Sequence, residues 1–214
     1  MEYLDRNPVA ALKKPAKVCR ATCLTKEQWD QVFACYPLDD PFRDLLVVMT
    51  ETGCRPQEMR VMEARHLDLA AMKVRFKDGE IPGKKYGRNV ELTEDAAAVL
   101  RRLALAHPDG PLFRNADGNP WKHNALNSRF QRLKNSKKGK KLAFHVHGYV
   151  ARHSWATDLI EAGASAGAVA AMAGHRDPTV VLKYYGKHIE ERERHLRGLL
   201  EKSRERPKGK QDAS

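Results

Sequence analysis

No stretch of about 18 consecutive apolar residues runs through this 214-residue chain, so no membrane-spanning helix is expected. The opening residues, MEYLDRNPVAALKKPAK, lack the apolar heart of a secretory signal, which points to the cytoplasm. Cysteine is scarce. Its four copies, Cys19, Cys23, Cys35 and Cys54, follow no disulfide spacing, and a reducing compartment leaves them as thiols. Cys19 and Cys23 offer half of a zinc site, but no second Cys/His pair completes it, so no metal is expected. Internal repeats are absent too, which sets solenoids and propellers aside. Acidic residues are outnumbered: 27 Asp and Glu face 39 Lys and Arg, a formal net charge of +12. That excess favours a polyanionic partner, nucleic acid first, because Lys and Arg displace counterions from phosphates. What is present suffices for one core, with 42% apolar residues over a length typical of a single domain.

Local chemistry divides the chain. Residues 1–23 carry Pro8, Pro15 and several lysines without periodicity and read as a linker. Thr25 and Gln28 then form a capping box for a helix whose inner face is Trp29, Val32 and Phe33. A second helix is expected from about Pro41 to Glu51, stopped by Gly53. Pro56 suits the first turn of a third helix, PQEMRVMEARH. Leu45, Leu46, Val48, Met49, Val61 and Met62 are core stripes. Alternation in HLDLA and MKVRF, then EIPGKKYGRNVEL as strand, turn, strand, predicts a small antiparallel sheet with Lys84 and Lys85 near a tip. A helix capped at Thr93 follows, then a loop over 108–121, a basic helix from about Asn124 to Asn135 and the cationic run KKGKK. Val150 to Ala162 reads as an amphipathic helix ended by Gly163, and a short helix leads to Gly174. The last helix is expected from about Ile189 to Ser203, with Leu196, Leu199 and Leu200 as a narrow seam, ahead of a disordered basic tail. The fold class is mainly α with one small antiparallel β-sheet.

Several polar residues have a spacing that local structure alone does not require. TGCRPQE places Arg55 and Glu58 three apart. Further on stand Arg152 in RHSWATDLIEAG, His175 in AGH, and Tyr184 nine residues beyond that histidine. Such a set fits one chemistry: a phenolic oxygen attacks a phosphodiester while guanidinium forks neutralise the non-bridging oxygens. The whole set resembles the catalytic domain of the tyrosine recombinases, or phage integrases, over about residues 24–190.

The resemblance implies roles residue by residue. Arg55 and Arg152 are the two phosphate clamps, Glu58 orients the site, His175 donates to a non-bridging oxygen and Tyr184 is the nucleophile. GKKYGRNVEL is similar to the family's lysine turn ahead of Arg-x-Val-x-Leu, with Arg88, Val90 and Leu92 in register. Lys84 is then the general acid and Lys85 the alternative. One departure stands out: the family usually has His three residues before the second Arg, and this chain has Tyr149 there. A phenol near pKa 10 is a poor base at neutral pH, so either the arginine field lowers the Tyr184 proton's hold or His147 takes it. Residues 24–188 become the catalytic domain and 189–214 a C-terminal helix and tail. The resemblance further implies double-stranded DNA as substrate, a homotetramer on two duplexes, integration of a mobile element, a nucleoid-associated location, and no cofactor. A DNA-binding remnant without catalysis is the competing reading. Type IB topoisomerases and telomere resolvases share the chemistry.

Overall fold

The structure, a computed structural model, describes residues 22–175 and 177–204. The linker reading for residues 1–21 and the tail reading from 205 onward lie outside the described residues. Among these residues α-helices dominate, with a single three-stranded sheet, as the residue patterns predict. No helix among them is long and apolar enough to cross a membrane.

α1 (Lys26–Phe33) opens with both halves of its capping box. The Gln28 backbone N–H donates to Thr25 Oγ1 at 3.3 Å, and the Thr25 N–H donates to Gln28 Oε1 at 2.9 Å. α2 (Pro41–Thr52) is capped by Asp40, which accepts from the Phe42 N–H at 2.9 Å. Phe42, Leu45, Leu46, Val48 and Met49 are wholly buried along it. Its two flanks are covered by α4 (Glu94–Ala106) and α6 (Val150–Glu161), and the main core is built around this three-helix contact.

Four elements differ from the sequence expectation. The third helix, α3 (Pro56–Val61), ends early; a 3₁₀ turn, Ala64–His66, follows and feeds the sheet. The sheet is β1 (Leu67–Asp68), β2 (Lys73–Phe76) and β3 (Arg88–Glu91), antiparallel in that order, with Val74 opposite Val90 and Phe76 opposite Arg88. Residues 80–82 are therefore not a strand, and the connection 77–87 between β2 and β3 is a long one. It is tied down by Asp78 Oδ1, which accepts from the Gly87 N–H at 2.7 Å, and by buried Ile81. α6 is not amphipathic. Val150, Ala151, Arg152, Ser154, Trp155, Ala156, Thr157 and Ile160 are all buried, which wraps the helix on most sides. The final helix, α8 (Thr179–Arg204), begins ten residues earlier than the Ile189 start that its leucine pattern suggests, and so carries Tyr184 and Tyr185.

The basic helix, α5 (His123–Asn135), lies where expected, and the cationic run after it holds a 3₁₀ turn, Gly139–Lys141. α7 (Ala166–Met172) closes the chain path to Gly174. α6, α7 and α8 share a second cluster built from Trp155, Ile160, Val169, Ala173, Val181 and Tyr185. Residues just ahead of α1 dock on α6: the Leu24 N–H donates to Ser154 Oγ at 2.8 Å, and Leu24 is buried. Leu196, Leu199 and Leu200 are half-exposed at 47–50%, so no described part of the domain covers this seam.

The turn between α2 and α3 sets the position of the first arginine. Gly53 ends α2 with φ 61°, a conformation that side chains disfavour. A Cβ there would also lie 2.4 Å from Trp155 Cε3. The missing side chain is what allows α6 to close against the turn. Gly53→Ala therefore combines left-handed strain with overpacking and should lower the unfolding free energy by about 2 kcal/mol or more in urea titration.

Candidate active site

Arg55 is the N-cap of α3, a position that normally supplies an acceptor for the first turn. A guanidinium has no acceptor, so its side chain is left to reach across the turn. Glu58, three residues on, satisfies both ends of it. Its carboxylate accepts from the Arg55 backbone N–H at 2.8 Å and from Arg55 Nη1 at 2.6 Å. The three-residue spacing in TGCRPQE is thus the geometry of one helix turn.

Glu58 has no solvent exposure and a second cation beside it, Arg88 of β3, which donates from Nη1. Burial pushes the carboxyl pKa up, but Arg88, Arg55 and the Arg55 backbone N–H outweigh it and hold the group below the ordinary carboxylate value. Arg88 also donates from Nη2 to the Met172 carbonyl at 2.8 Å, joining the sheet to the end of α7. Two residues past Met172 is Gly174, with φ 66°, and a Cβ on it would lie 2.8 Å from Arg88 Cδ. The glycine before His175 is what lets the arginine lie flat against this turn.

Arg152 comes from the buried face of α6. Nη1 donates to the Gly53 carbonyl at 2.7 Å, and Nη2 donates to the Ala173 carbonyl and to His175 Nε2, the latter at 3.1 Å. Burial, with Arg55 and Arg88 near it, draws its pKa down to about 10, so it stays charged at neutral pH. Because arginine only donates, His175 Nε2 is the acceptor, and a neutral ring carries its proton on Nδ1. Burial, then Arg152, Arg55, Arg88 and Lys84, push the His175 pKa down to about 4, which keeps that ring neutral.

These groups open on a cleft of about 500 Å³, lined by Arg55, Glu58, Ile81, Lys84, Lys85, Tyr86, Gly87, Arg88, Gly174 and His175. Lys84 and Lys85 both reach it from the 77–87 connection. The Lys84 charge is felt at His175, whereas Lys85 Nζ rests 5.7 Å above the Tyr86 ring. Three guanidinium charges against one carboxylate leave two positive charges in the cluster, before either lysine is counted. Such an arrangement holds a phosphodiester and stabilises the charge it gains when its phosphorus is attacked. Among the described residues, no group of three His, Cys, Asp or Glu side chains is placed to hold a metal ion.

Three expected residues stand apart from the cleft lining: Arg152, which meets it only through His175, and two tyrosines. Tyr149 caps α6 with its side chain 46% exposed. Tyr184 is 38% exposed on α8, its ring 5.8 Å from that of His153. Its neighbour Tyr185 is buried, with its hydroxyl 2.6 Å from His153 Nδ1. Sequence reasoning named Arg88 only as a register mark and passed over His153. The signal for Arg88 was available: it shares the inward face of β3 with Val90, and a charge there requires a buried partner.

A family model described as the phage integrase family matches residues 23–192. Among curated relatives, a tyrosine recombinase XerC from Pseudomonas putida (strain W619) is 30% identical over 148 residues, covering 65% of this chain and 48% of that protein. One from Xylella fastidiosa (strain M23) is 28% identical over 190 residues, covering 85% and 62%. The chain therefore spans about half to three fifths of the relatives it matches. Of solved structures, XerA recombinase superposes with a TM-score of 0.67 at 17% identity, over 88% of this chain and 67% of the other. The Tn1549 transposon integrase (aa 82-397), solved with circular intermediate DNA, gives 0.65 at 19% identity, over 86% and 68%. At these identities the likeness is one of fold.

Two outcomes follow from the charge cluster. Arg88→Met leaves Glu58 buried with one guanidinium fewer, and should cost about 3 kcal/mol in urea unfolding at neutral pH. The second concerns pH. Folded His175 ionises near 4 and the unfolded residue near 6.5, so between these values the unfolded chain binds the extra proton. Stability should fall as pH drops from 6.5 toward 4, with His66 and His153, also lowered chiefly by burial, adding to the slope. His175→Gln should flatten part of that slope when unfolding is measured across the window.

Proposed function

Since the chain belongs to the phage integrase family, we propose that it is a site-specific DNA recombinase that cuts and rejoins strands through a 3′-phosphotyrosyl link. The observation that supports this most is convergence. Arg55, Arg88 and His175 come from three separate segments and line one lysine-edged cleft, Arg152 reaches His175 from a fourth, and α8 carries an exposed tyrosine.

The steps follow from the groups. Tyr184 Oη attacks the scissile phosphorus, and its proton passes to His147 or, under the arginine field, to water as the bond forms. Arg55 and Arg152 hold the non-bridging oxygens, and His175 donates from Nδ1, the nitrogen that neutrality leaves protonated. The P–O5′ bond breaks, and Lys84 protonates the departing oxygen. Bond energy is kept in the phosphotyrosine, so a 5′ hydroxyl from a second duplex can reverse the chemistry onto a new strand. The base that receives the Tyr184 proton is not the usual histidine, because Tyr149 stands there with an exposed side chain. No cofactor enters these steps.

The double-stranded DNA partner is supported by the +12 charge and by the DNA-bound Tn1549 relative. A homotetramer on two duplexes is part of the proposal. The half-exposed Leu196, Leu199 and Leu200 of α8 support it as a surface for a neighbouring protomer. Residues 24–188 are proposed as the catalytic unit, acting on a mobile element in the cytoplasm at the nucleoid. A second reading, DNA binding without catalysis, is favoured by one observation: Tyr184 does not line the cleft.

Nicked duplexes that lose the strand needed for religation separate the two. Catalysis predicts a denaturation-resistant adduct mapping to Tyr184 and absent in Tyr184→Phe, with DNA affinity kept. Binding without an adduct favours the second reading. Lys84→Ala should slow cleavage of an ordinary 5′-oxygen substrate by a hundredfold or more, on the order of one lost general acid. A substrate with a 5′-thiolate leaving group should recover most of the rate.

A further inference from the structure

We infer that His153 is a positioning residue for the nucleophile, clamping α8 to α6 through Tyr185 so that Tyr184 is set at a fixed angle to the arginine site. The inference rests on Tyr184 being the nucleophile. It goes beyond that reading, because none of the roles assigned above belongs to His153 or Tyr185.

Three rings carry it. The His153 ring lies 5.8 Å from Tyr184 and 5.9 Å from Tyr185, and the two tyrosines lie 6.3 Å apart. Consecutive residues on a helix point about 100° apart, so one histidine reaching both must sit between their directions. Tyr185 turns inward, 6% exposed, with its hydroxyl 2.6 Å from His153 Nδ1. Tyr184 is 38% exposed, and its ring closes a near-equilateral triangle with the other two. Any rotation of α8 about its axis moves Tyr184 and breaks the Tyr185 contact in the same step.

His153 is also the next residue after Arg152. The arginine side chain goes to the Gly53 and Ala173 carbonyls and to His175. The histidine goes to α8. One rigid helix thus holds a phosphate clamp and the seat of the nucleophile on adjacent positions, and the helical step between them fixes their angle. Burial, together with His147 and Arg152, lowers the His153 pKa, and burial raises that of the Tyr185 phenol. A neutral ring therefore faces a protonated hydroxyl, and the two share one hydrogen bond. With its oxygen engaged and buried, Tyr185 is unsuited to attack a phosphate. The contact assigns the two adjacent tyrosines different work.

The test compares Tyr185→Phe, His153→Ala and His153→Asn in the full chain. The asparagine places an amide that can accept or donate close to where Nδ1 stands. Single-turnover formation of the Tyr184 adduct should slow about tenfold in Tyr185→Phe and His153→Ala, the scale of one hydrogen bond. DNA affinity should stay within about twofold, since neither group touches the cleft. His153→Asn should recover most of the rate. Wild-type cleavage by Tyr185→Phe overturns the inference, as does a His153→Asn no faster than His153→Ala, which would make ring proton transfer the role. Should His153→Ala fail to fold, Tyr185→Phe carries the comparison. A wild-type chain that forms no adduct defeats the recombinase reading, and the clamp is then judged in the free protein. There, Tyr185→Phe should shift and broaden the ¹³C-labelled Tyr184 ring resonances, and an unchanged spectrum overturns the clamp.

Discussion

The carboxylate of Glu58 is the interaction from which the site is built. Removing a carboxylate from water is costly, by several kcal/mol after relaxation, and is compensated only by good geometry on every lone pair. Glu58 has that geometry: a backbone N–H and two guanidiniums converge on its two oxygens. Without it, three arginines would meet at close quarters and repel. With it, two charges remain in the cluster, a fitting field for a phosphodiester that gains negative charge under attack. The same carboxylate joins α3 to β3, and Arg88 continues the link to α7. Charge balance and tertiary assembly are therefore one device.

α6 acts as a ruler inside this device. It is buried on most sides, so its register against α2, α7 and α8 is set by packing and not by choice of surface. Trp155 fills the space left by Gly53, Arg152 binds the Gly53 carbonyl, and His153 meets Tyr185. A slip of one residue along this helix would displace Arg152 and the tyrosine pair together. The neutral His175 belongs to the same logic. Surrounded by cations, it stays neutral and adds no further positive charge.

Much of the fold was legible wherever the signal was local. The Thr25–Gln28 capping box, the Asp40–Pro41 start of α2 and its stop at Gly53 are each decided within one turn of chain. The errors arose where packing overrode local preference. Residues 179–188, TVVLKYYGKH, hold β-branched residues and a glycine, which favour helix weakly. They are helical because Val181 and Tyr185, one turn apart, dock on α6 and α7. α6 reads as two-sided because Arg152, Ser154 and Thr157 are polar, yet all three are buried with partners. The long 77–87 connection looked like a short turn because its anchors, Asp78 and Ile81, have no periodic signature.

Residue types and spacings by themselves determined the family: two arginines, a glutamate, a histidine, a lysine turn and a tyrosine, in an order that phage integrases share. They could do so because each motif is a fragment of local geometry, such as the one-turn step from Arg55 to Glu58. Only the tertiary structure decided that Arg88 completes the charge cluster, that Lys84 and His175 line one cleft, and that Tyr185 is buried while Tyr184 is exposed. Those facts depend on which helix faces meet across a hundred residues of chain, and meeting is settled by the packing of a common core.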